Sequence, residues 1–124
     1  MRIYENKIFY IEVEQSEIPW LKIFTCKPYR ELSECDEQTR VAILEAMLTI
    51  EQEMLQYYKP TKINIALFGN YLPRVHIHIM ARFENDSYFP EPMWGKKQRE
   101  GQLNLPPLDD FIRKVQDIFV KNEQ

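Results

Sequence analysis

The chain has 124 residues, a formal net charge of −3 and a hydrophobic fraction of 44%. This length and composition predict one globular domain over residues 1–124 and exclude a wholly disordered chain. The small acidic excess offers no broad surface for a nucleic-acid polymer, although a basic pocket could still hold one nucleotide. No segment has the apolar length of a membrane helix, and the first residues lack the apolar run of a signal peptide, so no membrane association is expected.

The chain contains two cysteines, Cys26 and Cys35. A core of this size does not need a disulfide, which indicates a reducing and therefore cytoplasmic setting. Neither cysteine belongs to a Cys-x-x-Cys pair, so a cysteine-based zinc or redox site is not expected.

The first half of the chain predicts a hairpin followed by a long helix. Apolar residues alternate over 7–14 and again over 19–26, and the short connection favours antiparallel pairing of these two strands. Asp36 is a suitable N-cap for a helix over Glu37–Tyr58, which Pro60 would end. The apolar stripe of this helix is wide enough for both a core and a partner subunit, and it comprises Ile43, Met47, Ile50, Met54 and Tyr57, broadened by Val41, Leu44, Leu48 and Leu55.

The second half predicts two more strands and a final helix. Alternating residues indicate strands over 63–69 and 74–83 with a turn between them. The segment 84–107 is long and rich in proline, and such a segment without regular structure is usually functional or disordered. Asp109 or Asp110 could begin the last helix. The order of strands, helix, strands and helix indicates an α+β fold with an antiparallel sheet.

Both histidines lie in the strand predicted over 74–83, within the sequence RVHIHIMAR. Because side chains alternate between the two faces of a strand, one face carries two imidazoles between two guanidiniums, and its members are Arg74, His76, His78, Met80 and Arg82. The opposite face carries apolar residues and is a candidate core face. Imidazoles beside fixed positive charges suit a site that handles phosphate.

The His-x-His pair alone leaves other interpretations open. It could be a polar, partly exposed sheet face without chemistry, or a pair of surface residues that respond to pH. It could also supply two ligands of a metal, but there is no third histidine, carboxylates or cysteines would have to complete the site, and the flanking arginines repel a cation. We therefore expect no metal site and no cofactor, and any divalent ion would arrive with the substrate.

The stretch over residues 64–95, NIALFGNYLPRVHIHIMARFENDSYFPEPMWG, resembles the signature of the histidine triad (HIT) family. The match is to a bacterial branch, and it includes the Gly-Asn turn, the following proline, both histidines, Ala81-Arg82, Asp86 and the Pro-Met-Trp-Gly run. The first histidine of the triad is replaced by Arg74, at a position where the branch often has glutamine.

This resemblance implies an α+β fold with an antiparallel sheet of about five strands, a long central helix and a C-terminal helix, usually assembled as a homodimer. It implies a nucleotide hydrolase or transferase that acts on adenosine-type phosphoesters, phosphoramidates or dinucleoside polyphosphates through a nucleotidyl-histidine intermediate. His76 would be the nucleophile and His78 would assist it. The replacement at Arg74 leaves a second hypothesis, a nucleotide-binding regulatory module of the same fold with little or no turnover.

Four polar residues are candidates for substrate binding. Arg74 would neutralise phosphoryl charge in the transition state, unless it is a solvated residue at the start of its strand. By resemblance, Asn64 and Asn70 would reach ribose or phosphate oxygens, although Asn70 could instead serve the turn. Glu14 could accept hydrogen bonds from ribose hydroxyls or be a solvated acid at a strand end.

Four apolar residues are further candidates. Trp94 could cover the site, or it could anchor the segment 84–107 to the core. Phe9, Ile11 and Ile23 could form a slot for the base, with core packing as the alternative role of each.

Overall fold

The computed structural model describes residues 1–123. In chain order its elements are β1 (Arg2–Glu5), β2 (Phe9–Val13), β3 (Trp20–Thr25), a 3-10 turn (Leu32–Glu34), α1 (Glu37–Tyr58), β4 (Lys62–Ala66), β5 (His76–Arg82) and α2 (Leu108–Asn122). The five strands form one antiparallel sheet, so the α+β class, the long central helix and the C-terminal helix are as predicted. Within the described residues, no helix is both long and apolar enough to cross a membrane.

The strand order of the sheet is β1-β2-β3-β5-β4, and each neighbouring pair is antiparallel. The last strand in sequence, β5, therefore lies between β3 and β4, and all of its residues are buried. Phe24 of β3 lies opposite His76, while Lys22 of β3 and Ala66 of β4 lie on either side of His78. His78 therefore lies on backbone that is paired with a strand on each side, whereas His76 pairs with β3.

One face of the sheet packs against α1 and forms the core. The buried α1 positions recur at intervals of three and four residues, as expected for one stripe of a helix, and are Thr39, Ile43, Ala46, Ile50, Met54 and Tyr58. The sheet contributes alternate residues that are almost inaccessible to solvent, namely Ile11, Leu21, Ile23, Ile77 and Ile79. Burying each of these aliphatic side chains contributes about 1.5–3 kcal/mol, which makes this layer the main source of stability.

α1 has the boundaries that the sequence predicts. Asp36 accepts a hydrogen bond from the backbone N–H of Thr39 (2.7 Å) at the N-terminus. Hydrogen bonds from Thr39 favour the charged carboxylate and lower the pKa of Asp36. At the C-terminus, Lys59 adopts a left-handed φ of 50° immediately before Pro60, which cannot continue a helix.

The strands differ from the prediction by one additional strand, β1, and by an earlier end of β4. β1 is an additional strand that the residue pattern does not indicate, because its four residues are too few and too polar to show a clear alternation. The strand predicted over 63–69 ends at Ala66, and Gly69 turns the chain with a φ of 70°. The resulting turn between β4 and β5 borders the histidine strand.

α2 begins at Leu108 rather than at Asp109 or Asp110. The two acids occupy its first turn, where a negative charge is favourable without serving as the cap. The helix closes the β1 edge of the core, since Phe119 packs against Tyr4 with their ring centroids 5.3 Å apart.

The segment 84–107 contains no helix or strand, but buried polar groups hold it in place. Arg82 Nε and Nη2 donate to the two carboxylate oxygens of Asp86 (3.0 and 3.1 Å), and both side chains are almost fully buried. Asp86 also accepts hydrogen bonds from three backbone N–H groups, those of Phe83, Tyr88 and Phe89. Burial raises the pKa of Asp86, but the donors, led by Arg82, outweigh it and hold the pKa below its usual value.

Candidate functional site

Both histidines lie on the sheet face opposite the core. Their ring centroids are 4.9 Å apart, and both rings line a pocket of about 360 Å³. The other walls come from the turn between β4 and β5 and from the segment 84–107, and they consist of Phe68, Gly69, Asn70, Tyr71, Leu72 and Trp94. Two imidazoles in a pocket of this size make it the candidate active site.

His76 presents one unprotonated nitrogen. Its Nδ1 lies 2.9 Å from the carbonyl oxygen of Arg74, and because a carbonyl can only accept, Nδ1 carries the proton of the neutral ring. Nε2 therefore keeps its lone pair. The ring stacks on Phe24 with centroids 5.0 Å apart, and Phe24 stacks in turn on Tyr10. An imidazole oriented in this way is suited to nucleophilic attack.

His78 is held as the opposite tautomer. Trp20 Nε1–H donates to His78 Nδ1 (3.1 Å), so the proton of the neutral ring lies on Nε2. Burial, and then the unfavourable interaction of a charged His78 ring with a proton on His76 and with the Lys22 ammonium, lowers the pKa of His78 to about 4. His78 is therefore neutral near physiological pH, and it can donate a hydrogen bond through Nε2.

Trp94 contacts the histidine face and the segment that carries it. Its ring centroid lies 5.1 Å from those of His78 and Trp20, and 4.7 Å from that of Phe68. These contacts cover His78 and also fasten the segment 84–107 to the sheet. The two roles that the sequence leaves open for Trp94 are therefore compatible.

Arg74 lies beside the pocket rather than among its lining residues. Its Nη2 donates to the carbonyl oxygen of Thr25 at the end of β3. Its Nε is buried without a hydrogen-bond partner in the described chain, and the side chain borders a neighbouring crevice together with Arg30. The defined contribution of Arg74 to the histidines is its backbone carbonyl, which orients His76.

Arg82 shares a face with the imidazoles, as predicted, but its charge is already paired. Arg82 is 1% exposed and is neutralised by Asp86. Its Nη1 donates to Asn64 Oδ1 (2.8 Å), so Asn64 is directed to this ion pair and lies outside the histidine pocket. Strand alternation places Arg82 on the histidine face, but the segment 84–107 covers that end of the face.

The other two polar candidates lie in different places. Asn70 is exposed and lines the pocket from the turn between β4 and β5. Glu14 follows β2 and pairs with Lys22, with Oε1 and Nζ 3.0 Å apart. Since Lys22 lies opposite His78, Glu14 is connected to the histidine face but does not line the pocket.

The proposed base slot of Phe9, Ile11 and Ile23 is excluded, and their alternative role is the one observed. All three are buried in the core cluster. They lie on the α1 side of the sheet, because strand alternation gives the histidine side to Tyr10 and Phe24 instead.

Three residues of the histidine face are not among the site residues predicted from the sequence. They are Trp20, Lys22 and Phe24, which lie opposite Met80, His78 and His76 respectively. The alternation in β3 indicates that these three share a face. Only the pairing of β3 with β5 shows that this face carries the histidines.

Several solved structures have the same architecture. A histidine triad protein from Bradyrhizobium japonicum superposes with a TM-score of 0.78 at 24% identity, over 94% of this chain and 88% of its own. Histidine triad proteins from Sinorhizobium meliloti (TM-score 0.76, 20% identity, 94% and 87% coverage) and Marinobacter aquaeolei (0.72, 22%, 94% and 83%) superpose similarly. The chain has the histidine triad fold. No family model and no curated protein matches the sequence.

The histidine triad fold confirms the architecture that the resemblance of residues 64–95 implies. A shared fold does not determine the reaction, so substrate and mechanism depend on the site itself. In this chain, no lysine, arginine, aspartate or glutamate lines the pocket that contains His76 and His78. Within residues 1–123, no group of three or more His, Cys, Asp or Glu side chains is arranged to hold a metal ion.

Proposed function

We propose that this chain binds a nucleoside phosphate and cleaves it through a nucleotidyl-histidine intermediate, as a hydrolase or transferase of the histidine triad type. The observation that carries the proposal is the pair of imidazoles in one pocket, His76 with a free Nε2 and His78 with a donating Nε2–H. Phosphoesters, phosphoramidates and dinucleoside polyphosphates of a purine nucleoside are the candidate substrates. The choice of a nucleotide follows from the resemblance of residues 64–95, and the cytoplasmic setting follows from the two cysteines that need no disulfide.

The reaction begins when the Nε2 lone pair of His76 attacks the α-phosphorus. The Nε2–P bond forms, the bond to the leaving group breaks, and the leaving group departs with the electron pair. The Arg74 carbonyl continues to accept from Nδ1–H and stabilises the positive charge on the ring. His78 Nε2–H donates to a phosphoryl oxygen. Water then cleaves the N–P bond, releases the nucleoside monophosphate and restores His76.

The turn between β4 and β5 offers further donors for the phosphate. Residues 69–72 line the pocket, and their backbone N–H groups donate no backbone hydrogen bond within the described chain. Free N–H groups in a tight turn form a concave site that favours anions. We assign them to the phosphoryl oxygens, in a pocket that has no cationic side chain of its own.

A second function is favoured by the position of Arg74. Its guanidinium is directed to Thr25, and the first imidazole of a complete triad is missing. If charge neutralisation at this position is needed for turnover, the chain would bind a nucleotide and turn it over slowly or not at all, as a regulatory module.

The mass of the intact protein after brief exposure to substrate distinguishes the two functions. An adenosine phosphoramidate and a dinucleoside tetraphosphate are suitable compounds. An enzyme should gain the mass of one nucleotidyl group and release AMP. Nucleotide binding without an adduct and without AMP would support the regulatory module.

His76→Ala is the first variant to test. It should abolish AMP release and the adduct, because no other side chain in the pocket presents a free imidazole nitrogen to the phosphorus. The melting temperature and the affinity for AMP should change little. Full activity in this variant would refute the covalent mechanism.

We also propose that the protein is a homodimer. Four large apolar residues on the outer side of α1 are exposed, and they are Val41, Leu44, Leu48 and Leu55. They recur along the helix as one stripe, opposite the residues that face the sheet. A twofold contact between two copies of this stripe would remove it from water.

A further inference from the structure

We propose that the mouth of the histidine pocket is a subsite for the leaving group, and that this group is a neutral aromatic ring joined to the nucleotide phosphate as an ester. The inference rests on the proposed function and narrows it. Among the candidate substrates it selects aryl esters and disfavours dinucleoside polyphosphates.

The first observation is the apolar mouth itself. Phe68, Tyr71, Leu72 and Trp94 all line the pocket that contains the imidazoles, and all four are exposed. Large apolar side chains that converge in one place on a surface usually mark a binding site. The same pocket holds His76. When the phosphorus is next to this imidazole, the leaving group attached to the phosphorus would therefore lie against the apolar side chains.

The second observation is the distribution of charge. A polyphosphate leaving group carries several negative charges, and it requires cations when it leaves water. Three cations lie near the histidine face, but none of them lines the pocket: Arg82 pairs with Asp86, Lys22 pairs with Glu14, and Arg74 donates to the carbonyl oxygen of Thr25. A neutral ring meets no such penalty at the apolar mouth, and it gains from burial.

The third observation concerns protons. Trp20 donates to Nδ1 of His78, so this ring keeps its only proton on Nε2, and His76 uses its own proton to bind the Arg74 carbonyl. A neutral imidazole is too weak an acid to protonate a departing oxygen. The P–O bond must therefore break to give an oxyanion that is stable on its own, such as a phenolate, which takes a proton from water afterwards. This favours an aryl over an alkyl leaving group.

A matched pair of inhibitors tests the subsite without turnover. Adenosine 5′-benzylphosphonate and adenosine 5′-methylphosphonate carry the same charge and differ by one phenyl ring, and their P–C bonds resist cleavage. Calorimetry on the unaltered protein should show roughly tenfold tighter binding of the benzyl compound, the scale expected when one ring leaves water. In Phe68→Ser this preference should be largely lost. In the control Leu67→Ser, an exposed neighbour outside the pocket, it should persist.

Each outcome bears on a different claim. Equal affinities for the two compounds would refute the subsite and leave the proposed function intact, whereas failure of both to bind would refute both. A change of molar mass in Phe68→Ser with an unchanged preference would show that the mouth is a protein interface, which also refutes the subsite. In turnover, the phenyl ester of AMP should have a higher kcat/KM than a dinucleoside tetraphosphate, and the reverse order would contradict the inference.

Discussion

One hydrogen bond determines how His78 responds to protons. Trp20 donates to Nδ1, and a second proton on that nitrogen would break this bond and place a charge in a cage of aromatic rings. The ring is therefore a permanent donor through Nε2, and it does not act as an acid–base group near neutral pH. The two histidines thus differ in tautomer because the Arg74 carbonyl accepts from His76, whereas the Trp20 indole donates to His78.

We expect the stability of the protein to decrease as the pH falls from about 6.5 towards about 4, because His78 has a pKa of about 4 in the folded chain and 6.5 as its ordinary value. Between these two pH values His78 is protonated in the unfolded chain but neutral in the folded chain, so a fall in pH favours unfolding. The share of His78 is at most about 3 kcal/mol. Urea denaturation at about pH 7 and about pH 4.5 measures the loss. His78→Gln should lose less stability than the parent, and an equal loss would contradict the assignment.

Substitutions at Arg74 test the guanidinium alone, since the backbone carbonyl that orients His76 is unchanged. If the guanidinium neutralises phosphoryl charge, Arg74→Ala should lower kcat roughly a hundredfold with a smaller effect on KM. Arg74→Gln should be milder because an amide can still donate, and Arg74→His restores the triad without a permanent charge. Should kcat stay at the parent value in all three variants, the residue only fastens the start of β5 to Thr25.

At the scale of elements, the ion pair of Arg82 and Asp86 links β5 to the segment that carries Trp94. The charges are almost completely removed from water, so loss of one leaves the other uncompensated. This explains how a long segment without helix or strand can keep a large aromatic ring in contact with His78.

We expect Asp86→Ala to lower the free energy of unfolding by roughly 3–5 kcal/mol, because the Arg82 charge would stay buried without a partner. Asp110→Ala is the matched control. Asp110 also pairs with an arginine, Arg113, at 2.5 Å, but both side chains are exposed, and its loss should cost less than about 1 kcal/mol. Equal effects in thermal or chemical unfolding would show that burial is not what makes the Arg82 pair important.

The elements differ in how far the sequence predicts them. α1 is predicted to the residue, because its cap, its periodicity and the terminating Pro60 are all local signals. The two faces of β5 are predicted as well, since they depend only on alternation. Each face is covered by residues that are far away in the sequence, and local alternation does not reveal which residues these are. The burial of Arg82 beneath the segment 84–107 and the core position of Ile23 therefore could not be derived from the local pattern.

At the scale of the whole molecule, the exposed stripe of α1 predicts assembly. Light scattering should give about twice 15.0 kDa at micromolar concentration. Leu44→Glu combined with Leu48→Glu should give a monomer, because like charges would face each other across the twofold axis. Val120→Glu, at an exposed apolar position on α2, is the control and should leave the molar mass unchanged. A monomeric parent protein would contradict the proposal.

Trp20 and Trp94 are the only two tryptophans of the chain, and they meet edge to face with centroids 5.1 Å apart beside His78. Excitation selective for indole would therefore report almost entirely from the candidate site and from no other region. A ligand that enters the pocket changes the surroundings of the half-exposed Trp94 first, and protonation of His78 removes the acceptor of the Trp20 indole. The protein thus carries a built-in optical probe, so occupancy of the pocket and titration of His78 can be followed in the unlabelled chain by its emission spectrum.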